Sequence, residues 1–288
     1  LLAYVEEWRI KRFLNLWLSL LEKRYNRRRD YMSASKTKES LILHKEKALE
    51  CLNTYLDSLI GSPDEPTRKK ADKLSYWFED YARLLNKEKT FNPTKYIKYQ
   101  RGDIVKVHLG YRIGNEEVGL HFGIVLDANN AKSSGTITII PLTSLKEGKK
   151  IRHSSVALGP ELFRLIISKH TRLSEEINAR LNRIEELIHG TENDKLEEFV
   201  QTLSDEEINH LEAECKSLQK KRDELKEIRK SIIRMKNGSV ALADQITTVS
   251  KIRIYDPVYS NNVLYGIRLS DASLDLIDEK IRELFFKK

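Results

Sequence analysis

Cysteine and long apolar runs are both scarce in this sequence. Its 288 residues contain only two cysteines, Cys51 and Cys215, which lie far apart in segments with helical patterning. Two distant cysteines do not make a disulfide framework, so we expect free thiols and a reducing compartment. A membrane-spanning helix needs about 18 or more apolar residues in a row, and no such run is present. These absences predict a soluble, cytoplasmic protein with no membrane segment.

Motifs that bind metals or nucleotide cofactors are also missing. The seven histidines have no Cys, Asp or His partner at a metal-ligand spacing such as H-x-x-x-H, which argues against a zinc site. No P-loop, G-x-G-x-x-G or G-x-S-x-G motif is present. We therefore expect neither a metal nor an organic cofactor.

The charge of the chain is positive. Lys and Arg number 51 and Asp and Glu number 43, which gives a net charge of +8. An excess of this size permits a polyanionic partner such as RNA or DNA, but it does not require one.

Helical patterning dominates the beginning and the middle of the chain. Apolar residues recur every three or four positions over residues 3–31, 40–60 and 66–87, which predicts an N-terminal helical unit over residues 1–90. The same spacing over residues 160–236 predicts an inserted helical hairpin or short coiled coil, and Ser204 with Glu207 fits a capping box for its returning helix. A last helix is predicted over residues 270–285.

Strand patterning fills the remaining sequence after the linker Phe91-Asn92-Pro93. Short runs rich in β-branched residues predict strands at 103–109, 122–127, 136–142, 154–158, 239–243 and 252–255. Because the strands before and after the helical block have the same character, we read the block as an insertion in one small antiparallel barrel, with a first part at 99–159 and a second part at 237–288. The predicted fold class is α+β.

Four segments in this order resemble the MazF/PemK/Kid family of toxins, the mRNA interferases. They are Arg101-Gly102-Asp103-Ile104-Val105, Gly114-Asn115-Glu116-Glu117, His121-Phe122-Gly123-Ile124-Val125-Leu126 and Ile140-Pro141-Leu142-Thr143-Ser144. Ser239 to Lys251 is similar to a fifth family segment, and the terminal helix is similar to the family's closing helix. The resemblance implies a small SH3-like (plasmid-maintenance toxin) β-barrel, a homodimer, a cognate antitoxin and metal-independent cleavage of single-stranded RNA.

The resemblance also implies which residues carry the chemistry. The family commonly uses an arginine where this chain has His121 and a threonine where it has Thr143. A histidine can act as acid or base near neutral pH, so we expect catalysis from His121 with Thr143, Ser144 and Asp244. The alternatives are an ordinary half-buried strand histidine, and for Asp244 a local bond to the backbone.

RNA contacts are expected from cations, an aromatic ring and polar side chains near these segments. Thr247 stands where many family members have arginine, and Arg112 in the loop after the first strand is a candidate to compensate. The predicted RNA-binding residues are Tyr111, Arg112, Lys132, Lys146, Gln245 and Thr248.

Three functions remain open from the sequence. The first is a type II toxin that cleaves RNA. The second is a non-catalytic module on the same fold, such as a topoisomerase inhibitor, in which the site residues are dispensable. The third is a regulatory protein whose helices carry the function, either as an oligomerisation arm or as a built-in inhibitor that folds over the barrel, for which the acidic stretch 185–207 is the better candidate.

Overall fold

A computed structural model describes residues 37–145, 148, 150–188, 203–234 and 238–286. The helix predicted over residues 3–31, the turn of the inserted hairpin and Lys146 lie outside the described residues. The helices are α1 (Lys38–Ile60), α2 (Glu65–Glu88), α3 (Glu161–Ile188), α4 (Asp205–Arg234) and α5 (Asp271–Phe285). The strands are β1 (Ile104–His108), β2 (Leu120–Val125), β3 (Thr136–Ser144), β4 (Ser155–Gly159), β5 (Ser239–Leu242), β6 (Thr247–Ser250) and β7 (Ile254–Asp256).

The chain divides into two compact units, Leu1–Ala71 and Asp72–Lys288, and the division falls within α2. In the first unit α1 begins at a cap, where the Thr37 hydroxyl accepts a hydrogen bond from the Ser40 backbone N–H. The second unit carries the sheet, the inserted helices and α5. The boundaries predicted from the sequence, near residues 90, 159 and 236, stay predictions.

All seven strands form one antiparallel sheet, so the α+β class is confirmed. The hydrogen-bonded order is β4-β5-β3-β2-β1-β7, and β6 pairs separately with β3. The nine-residue β3 is long enough to pair with β6 at its beginning and with β5 at its end. Strand β6 was not predicted as a strand.

Successive side chains of a strand point to opposite faces of the sheet, and a buried core lies on each of these two faces. One core contains Val105, Val107, Val125, Ile137 and Ile139, with residues of β6 and β7. The next residues along the same strands belong to the other core, where helices α3, α4 and α5 cover the sheet. Buried residues of this second core include Ile104, Ile124, Ile140, Leu162, Ile166, Ile228 and Ile277. The sheet is therefore buried on both faces.

The inserted helices α3 and α4 pack as an antiparallel pair. Ion pairs join residues whose numbers rise along α3 and fall along α4: Lys169 with Glu224, Glu176 with Lys221, and Arg180 with Glu214. The predicted capping box of α4 is confirmed, because the Ser204 N–H donates to the Glu207 carboxylate at 2.8 Å and the Glu207 N–H donates to the Ser204 hydroxyl at 3.4 Å. These hydrogen bonds hold the pKa of Glu207 below its usual value.

The first resembling segment is a structural junction. Gly102 has φ +83°, a conformation that side chains with a Cβ rarely adopt. Arg101 donates to the Leu126 carbonyl at 2.7 Å and pairs with Asp278 of α5. Asp103 accepts a hydrogen bond from Arg268 at 2.8 Å. These contacts tie the start of β1 to the closing helix.

Candidate functional site

His121 and Thr143 lie near the ends of two neighbouring strands. The β2–β3 ladder ends at the pair of Phe122 with Leu142, and His121 and Thr143 are the next positions along the two strands. Both line one pocket. The structure therefore brings together the two residues that the sequence singled out most strongly.

The imidazole of His121 is held at both ring nitrogens. Its Nδ1 lies 3.1 Å from the Leu142 carbonyl oxygen, just beyond the last residue pair of the β2–β3 ladder. A carbonyl oxygen only accepts, so Nδ1 carries hydrogen and Nε2 is the nitrogen left for proton exchange. Nε2 lies 3.4 Å from the Glu117 carboxylate, and the His121 side chain is 24% exposed. Substrate can therefore reach a histidine paired with a carboxylate.

Glu117 was not predicted as a site residue, although it stands in a quoted segment four positions before His121. Its backbone N–H donates to the Gln245 side-chain oxygen at 2.8 Å, and the Gln245 amide donates to the Asn115 carbonyl at 3.3 Å. Gln245, predicted to contact RNA, thus binds the β1–β2 loop that carries Glu117. This contact joins residues far apart in the sequence, so the sequence alone did not show that Glu117 lies beside His121.

Two pockets border Thr143 and Ser144. The larger has a volume of about 540 Å³, and its lining includes Lys106, His121, Lys230 and Tyr255. The smaller has a volume of about 140 Å³, and its lining includes Glu117, Lys150, Arg152 and Ser155. The hydroxyls at the end of β3 therefore stand between a pocket that contains the histidine and a pocket with two cations.

Asp244 and Thr248 lie apart from the lining of these two pockets. The exposed Asp244 accepts a hydrogen bond from the Ser154 hydroxyl at 2.8 Å, which joins it to the residue before β4. The Thr248 hydroxyl lies 3.1 Å from the Thr138 hydroxyl, where β6 pairs with the beginning of β3. The structure does not gather these two residues with His121.

Arg112 was predicted to compensate for the arginine that many family members have at the position of Thr247, and its side chain contacts Thr247. Its guanidinium donates to the Thr247 hydroxyl at 2.9 Å and to the Leu109 carbonyl at 3.3 Å. Tyr111 beside it is half-buried, and Lys132 is exposed in the β2–β3 loop. A cation is thus present beside position 247.

An aromatic cluster that the sequence did not suggest supports the β1–β2 loop. The Trp77 ring of α2 stacks on His108 with ring centres 4.7 Å apart, and the Arg253 guanidinium lies 5.5 Å from the Trp77 ring centre. The Gly110 N–H donates to Nδ1 of His108 at 3.0 Å. Burial lowers the pKa of His108, against the opposing effect of Asp80. These contacts hold the start of the β1–β2 loop in place.

The described part of the chain contains neither a cluster of metal ligands nor a membrane-spanning helix. There, no group of three or more His, Cys, Asp or Glu side chains is arranged to hold a metal ion. Among the same residues no helix is long and apolar enough to cross a membrane.

Comparison with known proteins identifies one matching family. A family model described as PemK-like, MazF-like toxin of type II toxin-antitoxin system matches residues 100–218. The match spans β1 to β4, α3 and the first half of α4, and it contains His121 and Thr143. The similar segment from Ser239 to Lys251 lies beyond it. A search of curated proteins finds no significant match.

Proposed function

We propose that the protein is an endoribonuclease that cleaves single-stranded RNA without a metal ion, because residues 100–218 match the family model of PemK-like, MazF-like toxins of type II toxin-antitoxin systems. The resemblance drawn from the sequence is confirmed at the level of the family. Cleavage itself is the proposal, and the placement of His121 beside Glu117 and in one pocket with Thr143 supports it most directly.

The proposed reaction is a transesterification within the RNA. The 2′-oxygen attacks the neighbouring phosphorus, the bond from phosphorus to the 5′-oxygen breaks, and a 2′,3′-cyclic phosphate and a 5′-hydroxyl result. Glu117 takes the proton of the 2′-hydroxyl and His121 gives a proton to the leaving 5′-oxygen. Thr143 and Ser144 donate hydrogen bonds to the phosphoryl oxygens as charge develops there. Each proton removed or added thus has a named group.

The two pockets suggest how RNA lies across the site. With the scissile phosphate at the hydroxyls of Thr143 and Ser144, the nucleotides on its two sides lie in the two pockets. Lys150 and Arg152 line the smaller pocket and supply cations for a neighbouring phosphate. The prediction that Lys146 contacts RNA stays a prediction, because Lys146 lies outside the described residues.

We interpret the seven-stranded sheet as the SH3-like barrel that the family resemblance implies. One buried core gathers residues of β1, β2, β3, β6 and β7, as the interior of a small barrel does. The 3₁₀ turn Lys251–Arg253 links β6, which pairs with β3, directly to β7, which pairs with β1. In this interpretation the barrel is closed by the continuous chain between β6 and β7 and by the core that both strands share.

The test of cleavage is incubation of purified protein with long single-stranded RNA in EDTA. We expect His121→Ala and Thr143→Ala to slow cleavage by about a hundredfold or more, because each removes a group that acts only on the reacting phosphate. Glu117→Gln, which removes the proton acceptor at similar size, has the same expected effect. Gel analysis gives the rate, and mass spectrometry checks the cyclic phosphate ends.

Matched controls come from the same residue types away from the site. His153, 79% exposed, pairs with Glu283 at the surface, and Thr136 is exposed at the other end of β3. His153→Ala and Thr136→Ala are expected to cleave within about twofold of the parent rate. Wild-type protein that leaves RNA whole at high enzyme ratios contradicts the proposal and favours the non-catalytic module.

The proposal also includes a homodimer and a cognate antitoxin, because the family resemblance implies both. Sedimentation of the purified chain tests the first. Rescue of growth by a co-expressed neighbouring gene tests the second.

A further inference from the structure

One face of α4 lines the larger pocket. Glu227, Lys230 and Ser231 are spaced by three and four positions, so they share one face of the helix, and all three line the pocket. The same pocket is lined by His121, Thr143 and Ser144 at the strand ends. The inserted arm thus contributes side chains to the cavity that contains the proposed catalytic pair.

This turn of α4 is firmly anchored. Glu224 forms an ion pair with the buried Lys169 at 2.9 Å. The same ammonium group donates hydrogen bonds to the carbonyls of Asn262 and Val263 at 2.9 and 3.1 Å. Ile228, one turn beyond Glu224, is fully buried in the core. Glu227, Lys230 and Ser231 are therefore presented from a rigid element, as a binding wall requires.

The chemistry of the lining suits one nucleotide. A volume of about 540 Å³ lies within the range of small-molecule sites. Lys106 and Lys230 offer cations for a phosphate, and Tyr255, 52% exposed, offers a ring face on which a base can stack. The ion pair of Lys230 with Glu227 also sets a carboxylate beside the cation, where it can accept a hydrogen bond from a base.

We propose that α4 completes a nucleotide subsite next to the scissile bond, in which Lys230 contacts an RNA phosphate and Tyr255 stacks on a base. This inference rests on the proposed function, because it assumes that RNA is the ligand. It assigns the inserted arm a part in substrate binding, in place of an oligomerisation or inhibitory role.

The test is binding of a short single-stranded oligonucleotide that carries 2′-deoxy sugars, so that it cannot be cleaved, measured by fluorescence anisotropy at several salt concentrations. Lys230→Ala is expected to weaken binding about fivefold to tenfold. It should also reduce the slope of log K against log salt by roughly 0.7, the value for one phosphate contact to a single strand. Tyr255→Ala should weaken binding by about fivefold to a hundredfold, and Tyr255→Phe should restore it.

Lys226→Ala is the matched control. Lys226 and Lys230 lie on the same helix, each pairs with a carboxylate three positions before it, and their side chains are 58% and 61% exposed. Lys230 lines the pocket and Lys226 is not part of its lining. We expect Lys226→Ala to bind like the wild type, with circular dichroism showing that all variants are folded.

The outcomes separate this inference from the proposed function. Equal affinities and salt slopes for Lys230→Ala and Lys226→Ala overturn the subsite even when wild-type protein cleaves RNA. No binding of the oligonucleotide by wild-type protein overturns it as well. A selective defect of Lys230→Ala supports the subsite even when cleavage is absent, and in that case only the proposed reaction fails.

Discussion

At the scale of single residues, Gln245 links the loop before β2 to the segment after β5. Its side-chain oxygen accepts from the Glu117 N–H and its amide donates to the Asn115 carbonyl, so both halves of the amide are used within the protein. The sequence predicted an RNA contact. The structure instead favours a positioning role, in which Gln245 fixes the carboxylate that faces His121.

Replacement of Gln245 by Ala distinguishes these two roles. We expect kcat for RNA cleavage to fall between about tenfold and a hundredfold, because a small displacement of Glu117 spoils proton transfer. The affinity for the 2′-deoxy oligonucleotide should stay within about twofold of wild type.

Gln245→Glu is the conservative variant for this test. It keeps the acceptor for the Glu117 N–H but loses the donor to Asn115, so an intermediate kcat is expected. A loss of oligonucleotide affinity with unchanged kcat contradicts the positioning role and restores the predicted RNA contact.

At the scale of elements, the strands and helices predicted within the described residues correspond to observed ones within a few residues, whereas β6 was missed. Its sequence, Thr247-Thr248-Val249-Ser250, contains one apolar residue and is too short to show alternation. It becomes a strand because β3 is long enough to pair with it. Strand pairing of this kind depends on a partner far away in sequence and cannot be predicted from local pattern.

The candidate site was likewise predicted only in part. His121 and Thr143 were predicted because they stand at the positions of the arginine and the threonine that the family commonly uses. Glu117 lies in a family segment as well, but it was not singled out because its position beside His121 depends on a loop that Gln245 contacts. Lys230 was not predicted because it reaches the pocket through the packing of α4.

The β1–β2 loop gives a testable case of packing between elements. A Cβ on Gly110 would lie 2.7 Å from the Trp77 ring and 2.7 Å from the Arg253 guanidinium, at φ +81°. Gly110→Ala therefore combines backbone strain with a steric clash, and we expect a loss of about 2–4 kcal/mol in the free energy of unfolding. Urea denaturation measures it.

Gly114→Ala is the control for this substitution. Gly114 has φ +69°, but its Cβ would meet nothing within 4 Å, so only the backbone strain of about 1 kcal/mol remains. Equal losses for the two variants would show that Trp77 and Arg253 do not pack on the loop in solution.

At the scale of the whole molecule, part of the inserted arm shares a core with the sheet. The buried apolar residues of α3 and α4 belong to the same core cluster as Ile104, Ile124 and Ile140 of the sheet, and they are Leu162, Ile166, Leu173, Ile177, Leu218 and Ile228. The residues of α4 that line the larger pocket lie close to Ile228 in sequence. We call residues 161–181 and 213–234 the base of the arm, and we expect both folding stability and the proposed nucleotide binding to depend on it.

Removal of the part of the arm beyond its base tests whether stability and nucleotide binding depend on the base alone. We consider replacement of residues 182–212 by a short Gly/Ser linker, which keeps the ion pair of Arg180 with Glu214 as the new end of the helix pair. Each kcal/mol lost shifts Tm by about 2–4 °C in a domain of this size. Among the residues of the replaced segment whose side chains the structure describes, 182–184, 186 and 203–212, none is in the buried core, so we expect Tm to fall by at most about 8 °C. Affinity for the 2′-deoxy oligonucleotide should stay within about twofold, because Lys230, Ser231 and their anchor at Glu224 are retained.

Ile228→Ala in the full chain is the contrasting variant. It removes a fully buried side chain from the base of the arm and should cost about 2–5 kcal/mol, whereas Ile233→Ala, at a position 75% exposed on the same helix, should cost little. If the shortened arm instead loses oligonucleotide affinity tenfold while its circular dichroism and Tm stay close to wild type, the distal part contacts RNA. The subsite would then extend along the arm well beyond the turn that Lys169 anchors.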